Sequence, residues 1–129
     1  MKLVIADDSE IVVERLADLL SDVPGVELVG RAVDAPDALR CIQLLNPDMV
    51  ILDLQMPGGS GLDILRAIRP ERPELFVMIC TNYAYPQYRE ECLAAGANEF
   101  VDKSAEFEKI PAILLGHVRN ITKAGAPIR

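Results

Sequence analysis

Residues 49–53 read Met49-Val50-Ile51-Leu52-Asp53: a run of apolar side chains closed by a carboxylate. A strand with one wet face alternates apolar and polar residues. A run with no polar position instead reads as a strand covered on both faces, as in a parallel sheet. Working outward, short runs of near-continuous apolar character recur at Leu3–Ala6, Glu27–Val33, Leu75–Cys80 and Asn98–Val101. The stretches between them have helical period. Val12, Leu16, Leu19 and Leu20 share a face behind Ser9, a good N-cap, and Pro24-Gly25 closes that connection. Leu39, Ile42 and Leu45 follow Pro36 and stop at Asn46-Pro47; Leu62, Leu65 and Ile68 precede Pro70. Tyr88, Cys92 and Ala95 follow Pro86 and end at Gly96, a C′ residue. Proline inside a helix costs about 3 kcal/mol but little in the first turn. The last helix is therefore expected to start near Pro111, after a turn over Ala105–Lys109, and to end near Ile121. Five strand–helix units make an α/β domain with a doubly wound, five-stranded parallel sheet. Right-handed crossovers leave few strand orders, of which 2-1-3-4-5 is the expectation.

The chain has 129 residues, enough for one domain with a real core. Half of them are hydrophobic and 26% are charged, which excludes a disordered chain. Thirteen basic residues against 20 acidic ones leave a net charge of −7. Nucleic-acid binding needs a basic footprint and docking on anionic lipid needs the same sign, so neither partner is expected. The first apolar run is too short for a signal peptide, and nothing approaches membrane-spanning length. Cys41, Cys80 and Cys92 are odd in number and widely spaced. They fit neither a disulfide framework nor a zinc site, and read as buried free thiols in a reducing cytoplasm.

The polar residues gather at strand ends. Asp7 and Asp8 follow the first strand, Asp53 the third and Thr81 the fourth, and Lys103 lies just past the fifth. In a parallel sheet these ends share one edge, and the crevice at the switch point between strands one and three is where ligands bind. Two carboxylates 4 Å apart repel by about 4 kcal/mol at an effective dielectric of 20. Three of them call for a cation or for protonation, and an all-oxygen set that keeps open positions suits Mg²⁺. Such a pocket serves phosphoryl chemistry: a carboxylate attacks phosphorus, while Lys103 and Thr81 attend the phosphoryl oxygens. Pro57, Gly58, Gly59 and Gly61 shape a tight loop beside Asp53. No Lys-Ser/Thr pair follows it, which excludes a P-loop. Gln55 stands where an Asp-x-Asp hydrolase pattern would place its second acid.

Asp7-Asp8-Ser9, Asp53-Leu54-Gln55-Met56-Pro57 with Gly61, Thr81, and Phe100 with Lys103 three residues later resemble, in this order and spacing, the receiver domain of two-component response regulators. The resemblance covers residues 1–122 and leaves 123–129 as a flexible tail. It implies the flavodoxin-like receiver fold and a stand-alone, single-domain protein. It implies that Asp53 accepts a phosphoryl group from a histidine kinase or histidine phosphotransfer protein. It implies Mg²⁺ held by Asp8, Asp53 and the backbone carbonyl of Gln55, with Asp7 acting through water. Thr81 and Lys103 would contact the phosphoryl group and take part in catalysis, and Phe100 would be the aromatic that turns inward as Thr81 moves. The chain would then be no dedicated enzyme. It would catalyse transfer to its own aspartate and its own slow dephosphorylation.

Three positions depart from the family pattern. Asn82-Tyr83 adds bulk after Thr81, Ser104 replaces a common proline after Lys103, and the switch aromatic is Phe, without a hydroxyl. Output is expected through protein docking on the fourth helix, fifth strand and fifth helix, around Tyr88, Arg89 and Phe100. The occupant would be a downstream partner or a second copy of the chain. The competing readings are a phosphate-independent module of the same fold, an N-terminal fragment of a longer regulator with a DNA-binding output, and a small phosphoester hydrolase. The hydrolase lacks an evident acid or base, because the sole histidine, His117, falls on the last helix as a surface or packing residue.

Overall fold

The structure is a computed structural model and describes residues 1–125, with side chains described through Asn120. Among these residues the main sheet comprises β1 (Lys2–Ala6), β2 (Glu27–Ala32), β3 (Met49–Leu52), β4 (Phe76–Thr81) and β5 (Glu99–Asp102). All neighbours are parallel, in the order β2-β1-β3-β4-β5, which is the doubly wound 2-1-3-4-5 arrangement expected. The helices are α1 (Glu10–Leu20), α2 (Ala35–Leu45), α3 (Gly61–Ile68), α4 (Pro86–Ala94) and α5 (Ile110–Gly125). A small antiparallel ribbon pairs Gln55–Met56 with Gly59–Ser60 between β3 and α3.

Every residue of β3 is buried, and alternate side chains leave for opposite layers. Val50 and Leu52 join Val4, Ala6, Val77 and Ile79 under α2, α3 and α4, where Ala38, Ile42, Ile64, Leu65 and Cys92 complete the layer. Met49 and Ile51 join Leu3, Ile5, Met78 and Cys80 under α1 and α5, against Val13, Leu16, Leu20, Ile110 and Leu114. Full burial of one such aliphatic side chain contributes about 1.5–3 kcal/mol, so the runs without polar positions are what hold the sheet between its helices. Cys80 and Cys92 thus lie in different layers, both buried, while Cys41 is half-buried. Burial pushes the Cys80 thiol up to about 12.

The helix boundaries follow local chemistry. Ser9 caps α1 by accepting the Val12 N–H at 3.4 Å, and Asp34 caps α2 by accepting that of Asp37 at 2.8 Å. Ser60 and Asp63 form a reciprocal capping box on α3. Asn46 ends α2 at φ 47°, and Gly96 follows α4 at φ 106°. Several expectations shift. Val13 is the fully buried neighbour of Leu16 and Leu20, while the expected Val12 and Leu19 pack half-buried against the same layer. On α4 only Cys92 is buried, with Tyr88 and Ala95 half-buried. A short 3₁₀ turn at Phe107–Lys109 leads into α5, which begins one residue before Pro111.

The last helix, expected to end near Ile121, continues to Gly125 and so runs into the stretch expected as a tail, 123–129. Ile121-Thr122-Lys123-Ala124 contains no breaker, and the first is Gly125 itself. The remaining tail positions, 126–129, lie outside the described residues.

Arg69, just beyond α3, gathers the end of the molecule opposite the strand carboxyl ends. Its guanidinium donates to the carbonyls of Arg72, Pro73, Leu75 and Gly96, at 2.6–3.1 Å, and to the side-chain oxygen of Asn98 at 3.2 Å. That same Asn98 oxygen accepts the Val77 N–H at 2.8 Å.

Gly61 opens α3 against the backbone of β3's end. A Cβ there would sit 2.4 Å from the Asp53 carbonyl oxygen, far inside contact distance with an atom that cannot rotate away. Gly61→Ala is therefore expected to lose about 1–3 kcal/mol of stability, the scale of overpacking. Urea unfolding of the two proteins checks this.

Candidate functional site

The ladder hydrogen bonds run one residue past the strands and carry the polar side chains to a common edge. The Asp7 N–H donates to the Ala32 carbonyl at 3.0 Å, that of Asp53 to Ala6 at 2.9 Å, and that of Lys103 to Thr81 at 2.9 Å. Asp7, Asp53 and Lys103 have side chains only 4%, 10% and 7% exposed, whereas Asp8 is exposed. One carboxylate oxygen from each of Asp7, Asp8 and Asp53 lies within 4.8 Å of the others. They border an open cleft of about 430 Å³ that Gln55, Asn82 and Tyr83 also line.

The charges do not balance. Three carboxylates face one ammonium, and at 4.8 Å each like pair repels by about 3–4 kcal/mol at an effective dielectric of 20. Lys103 Nζ donates to Asp7 Oδ2 at 2.6 Å and lies 3.3 Å from Asp53 Oδ2. Burial drives the Asp53 carboxyl above its ordinary range; Lys103 pulls it back, Asp7 pushes it up again, and the net is upward. Burial acts to lower Lys103, but the bond to Asp7 and the fields of Asp53 and Asp7 prevail and hold the ammonium above its usual value. The donor set therefore fits a hard divalent cation. It is all oxygen, carries excess negative charge, and is open on the Asp8 side.

Thr81 is fully buried as the last residue of β4. Its hydroxyl oxygen accepts the Tyr83 N–H at 3.0 Å, which leaves its own hydrogen free to donate. Phe100 is buried in the layer under α4, opposite Ile79 of β4. The Arg89 guanidinium lies 5.8 Å from its ring centroid and donates to its carbonyl at 3.3 Å. Among the described residues no peptide bond is cis, so Lys103-Ser104 is trans. His117 stays apart from this cluster and packs on Phe76 with ring centroids 4.2 Å apart.

Sequence reasoning assigned Lys103 to a phosphoryl group and did not find its bond to Asp7. It read Ser9 only as a cap, yet the Ser9 N–H donates to Asp7 Oδ1 at 2.8 Å and orients that carboxylate. An Asp two residues before Ser is a recognisable turn signal for such a bond. The Tyr83 amide on Thr81 had a similar local signal.

The chain matches the family model described as the response regulator receiver domain over residues 3–115. It is 27% identical to a protein-glutamate methylesterase/protein-glutamine glutaminase of Clostridium acetobutylicum, over 99% of this chain and 40% of that protein. It is 29% identical to response regulator GacA of Pseudomonas aeruginosa, over 85% of this chain and 51% of that one. It thus spans about half, or less, of the length of these relatives. The response regulator domain of Thermotoga maritima CheB superposes with a TM-score of 0.80 at 26% identity, covering 93% of this chain and 94% of that one.

A carboxyl raised by folding destabilises the folded state once ionised. Its penalty is absent below the ordinary value of 3.8 and grows as pH rises through the folded-state value. Metal-free Asp53→Asn is therefore expected to melt a few degrees higher than the parent at pH 7, with the gain vanishing in acid. Thermal melts across that range check the sign.

Proposed function

The chain belongs to the response regulator receiver domain family, and we propose that it is a phosphorylation switch whose acceptor is Asp53. Receiver domains are signalling modules of two-component systems and bind Mg²⁺ at an acidic pocket. The observation that carries the reading is the convergence of Asp7, Asp8, Asp53 and Lys103 at the carboxyl ends of β1, β3 and β5.

In this reading Asp8, Asp53 and the Gln55 carbonyl hold Mg²⁺, with Asp7 acting through water. The ion supplies neutralisation of phosphoryl charge as the transfer proceeds. An Asp53 oxygen attacks the phosphorus of a phosphohistidine on a kinase or phosphotransfer protein. The phosphorus–nitrogen bond breaks, its electron pair returns to the imidazole, and that nitrogen takes a proton from solvent. Lys103 Nζ, already 3.3 Å from Asp53, needs only a small shift to reach a phosphoryl oxygen. Thr81 donates its free hydroxyl hydrogen to another. Among the lining residues no histidine stands ready to activate water, and Asn82 and Tyr83 crowd the rim, so hydrolysis of the acyl phosphate is slow. As Thr81 moves, it pulls on the Tyr83 amide; Phe100, expected to turn inward at this step, is already buried in the structure and would be held there.

The added charge of roughly −1.5 to −2 then biases the α4–β5–α5 face, which docks a downstream protein or a second copy. Among the described residues no helix is long and apolar enough to cross a membrane, and the proposed setting is the cytoplasm. The protein is a switch that modifies itself, not a dedicated enzyme.

With acetyl phosphate and Mg²⁺, intact mass should rise by one phosphoryl group, and Asp53→Asn should abolish the gain; persistent labelling of that variant would sink the assignment. Asp8→Ala should weaken Mg²⁺ binding by about tenfold or more, the size of effect seen even when groups that merely orient ligands are lost. Calorimetric titration with Mg²⁺ reads this directly.

A further inference from the structure

We propose that Arg89 is a latch between the phosphorylation site and α4, holding the first half of that helix on Phe100 while Arg69 fixes its far end. The proposal deepens the switch reading above and rests on it.

Helix α4 has little to keep it in place. Cys92 is its one buried residue, and its N-cap, Tyr85, makes no side-chain hydrogen bond. Its ion pair from Glu91 to Arg66, at 3.3 Å, is more than half exposed on both sides, where such pairs contribute little. Beyond Cys92 and the half-buried Tyr88, which packs on the same layer, what holds α4 sits at its ends.

The carboxyl end is clamped. The Arg69 guanidinium donates to the Gly96 carbonyl at 2.6 Å and to Asn98, which is itself tied to the amide of Val77. A Cβ on Gly96 would approach Arg69 Nε to 2.9 Å, so the fit leaves no slack.

The amino half is held differently. Arg89 lies over the Phe100 ring and donates to the Phe100 carbonyl, so one exposed side chain joins α4 to both the ring and the backbone of β5. Thr81 and Ile79 project from the same face of β4, and Ile79 is the register partner of Phe100. The Thr81 hydroxyl also takes the N–H of Tyr83, in the loop that enters α4. Movement of Thr81 toward Asp53 thus tugs the entry of α4 at the moment that Phe100, under Arg89, supports its first turns. Hinged at Gly96 and latched at Arg89, α4 swings as a lever.

If inward Phe100 accompanies the phosphoryl-bound arrangement, a latch that keeps it inward must favour binding at Asp53. The test uses the full chain labelled with 4-fluorophenylalanine, which gives one fluorine signal each for Phe76, Phe100 and Phe107. Phe107 carries its own guanidinium, Arg15 at 4.5 Å, and serves as the internal control. Arg89→Met should move the Phe100 signal, leave the Phe76 and Phe107 signals in place, and weaken beryllofluoride binding at saturating Mg²⁺ by about threefold or more. Arg89→Lys, which keeps a cation over the ring, should restore part of the affinity. Parent-like affinity and an unmoved Phe100 signal in Arg89→Met would overturn the latch and leave the switch reading intact. A parent protein that binds no beryllofluoride would overturn the switch reading itself, and the latch with it.

Discussion

Lys103 places one positive charge 2.6 Å from Asp7 and 3.3 Å from Asp53, with all three side chains almost withdrawn from water. Lys103 or Asp7 buried alone would cost several kcal/mol, so these two are tolerable only together, while Asp53 is the surplus charge of the group. This requirement reaches back into the sheet. Ala6 must lie beside Leu52, Leu52 beside Ile79, and Thr81 beside Asp102, or the ends of β1, β3 and β5 would not meet. A slip of one residue along any strand would send its polar end to the wrong layer. The apolar runs that secure the register and the charges that need it are therefore two parts of one constraint. The excess negative charge that remains is what makes the site receptive to a cation.

Much of this architecture was legible in the sequence, because Met49–Leu52, Leu3–Ala6 and Leu75–Cys80 contain no polar position and admit a single environment, and the edge runs, though broken by Glu27, Arg31, Asn98 and Glu99, remain mostly apolar. The polar residues at the ends of those runs were legible for the same reason: once the strands are parallel, Asp7, Asp53, Thr81 and Lys103 share an edge. What was hidden depended on partners distant in sequence or on weak patterns. The bond between Lys103 and Asp7 spans 96 residues. The five-acceptor arrangement of Arg69 joins segments that no local motif connects. Val12 and Val13 are equally apolar, and only packing makes Val13 the inner one. Helix α4 has almost no apolar face: the sequence picked out the side that lies down, Tyr88, Cys92 and Ala95, but not that Cys92 alone would be fully covered. The extent of α5 was missed because the chain beyond Ile121 looked terminal, although its residues are helix-compatible up to Gly125.

The two buried cysteines give the sheet a native reporter on each side. Cys80 opens only when the layer beneath α1 and α5 comes apart, and Cys92 only when the layer beneath α4 does. With its thiol held near 12, Cys80 is protonated as well as covered, so alkylating reagents meet an inert group until that layer opens. Burial raises the Cys92 thiol too. Pulsed thiol labelling followed by peptide mass mapping can therefore time the opening of each half of the molecule separately, without an engineered probe. The half-buried Cys41, whose thiol is also raised by its surroundings, sets the reference rate for a group close to solvent. A protein with all its thiols on one side of the sheet would report a single opening rate; this chain can distinguish peeling of one layer from collapse of the whole.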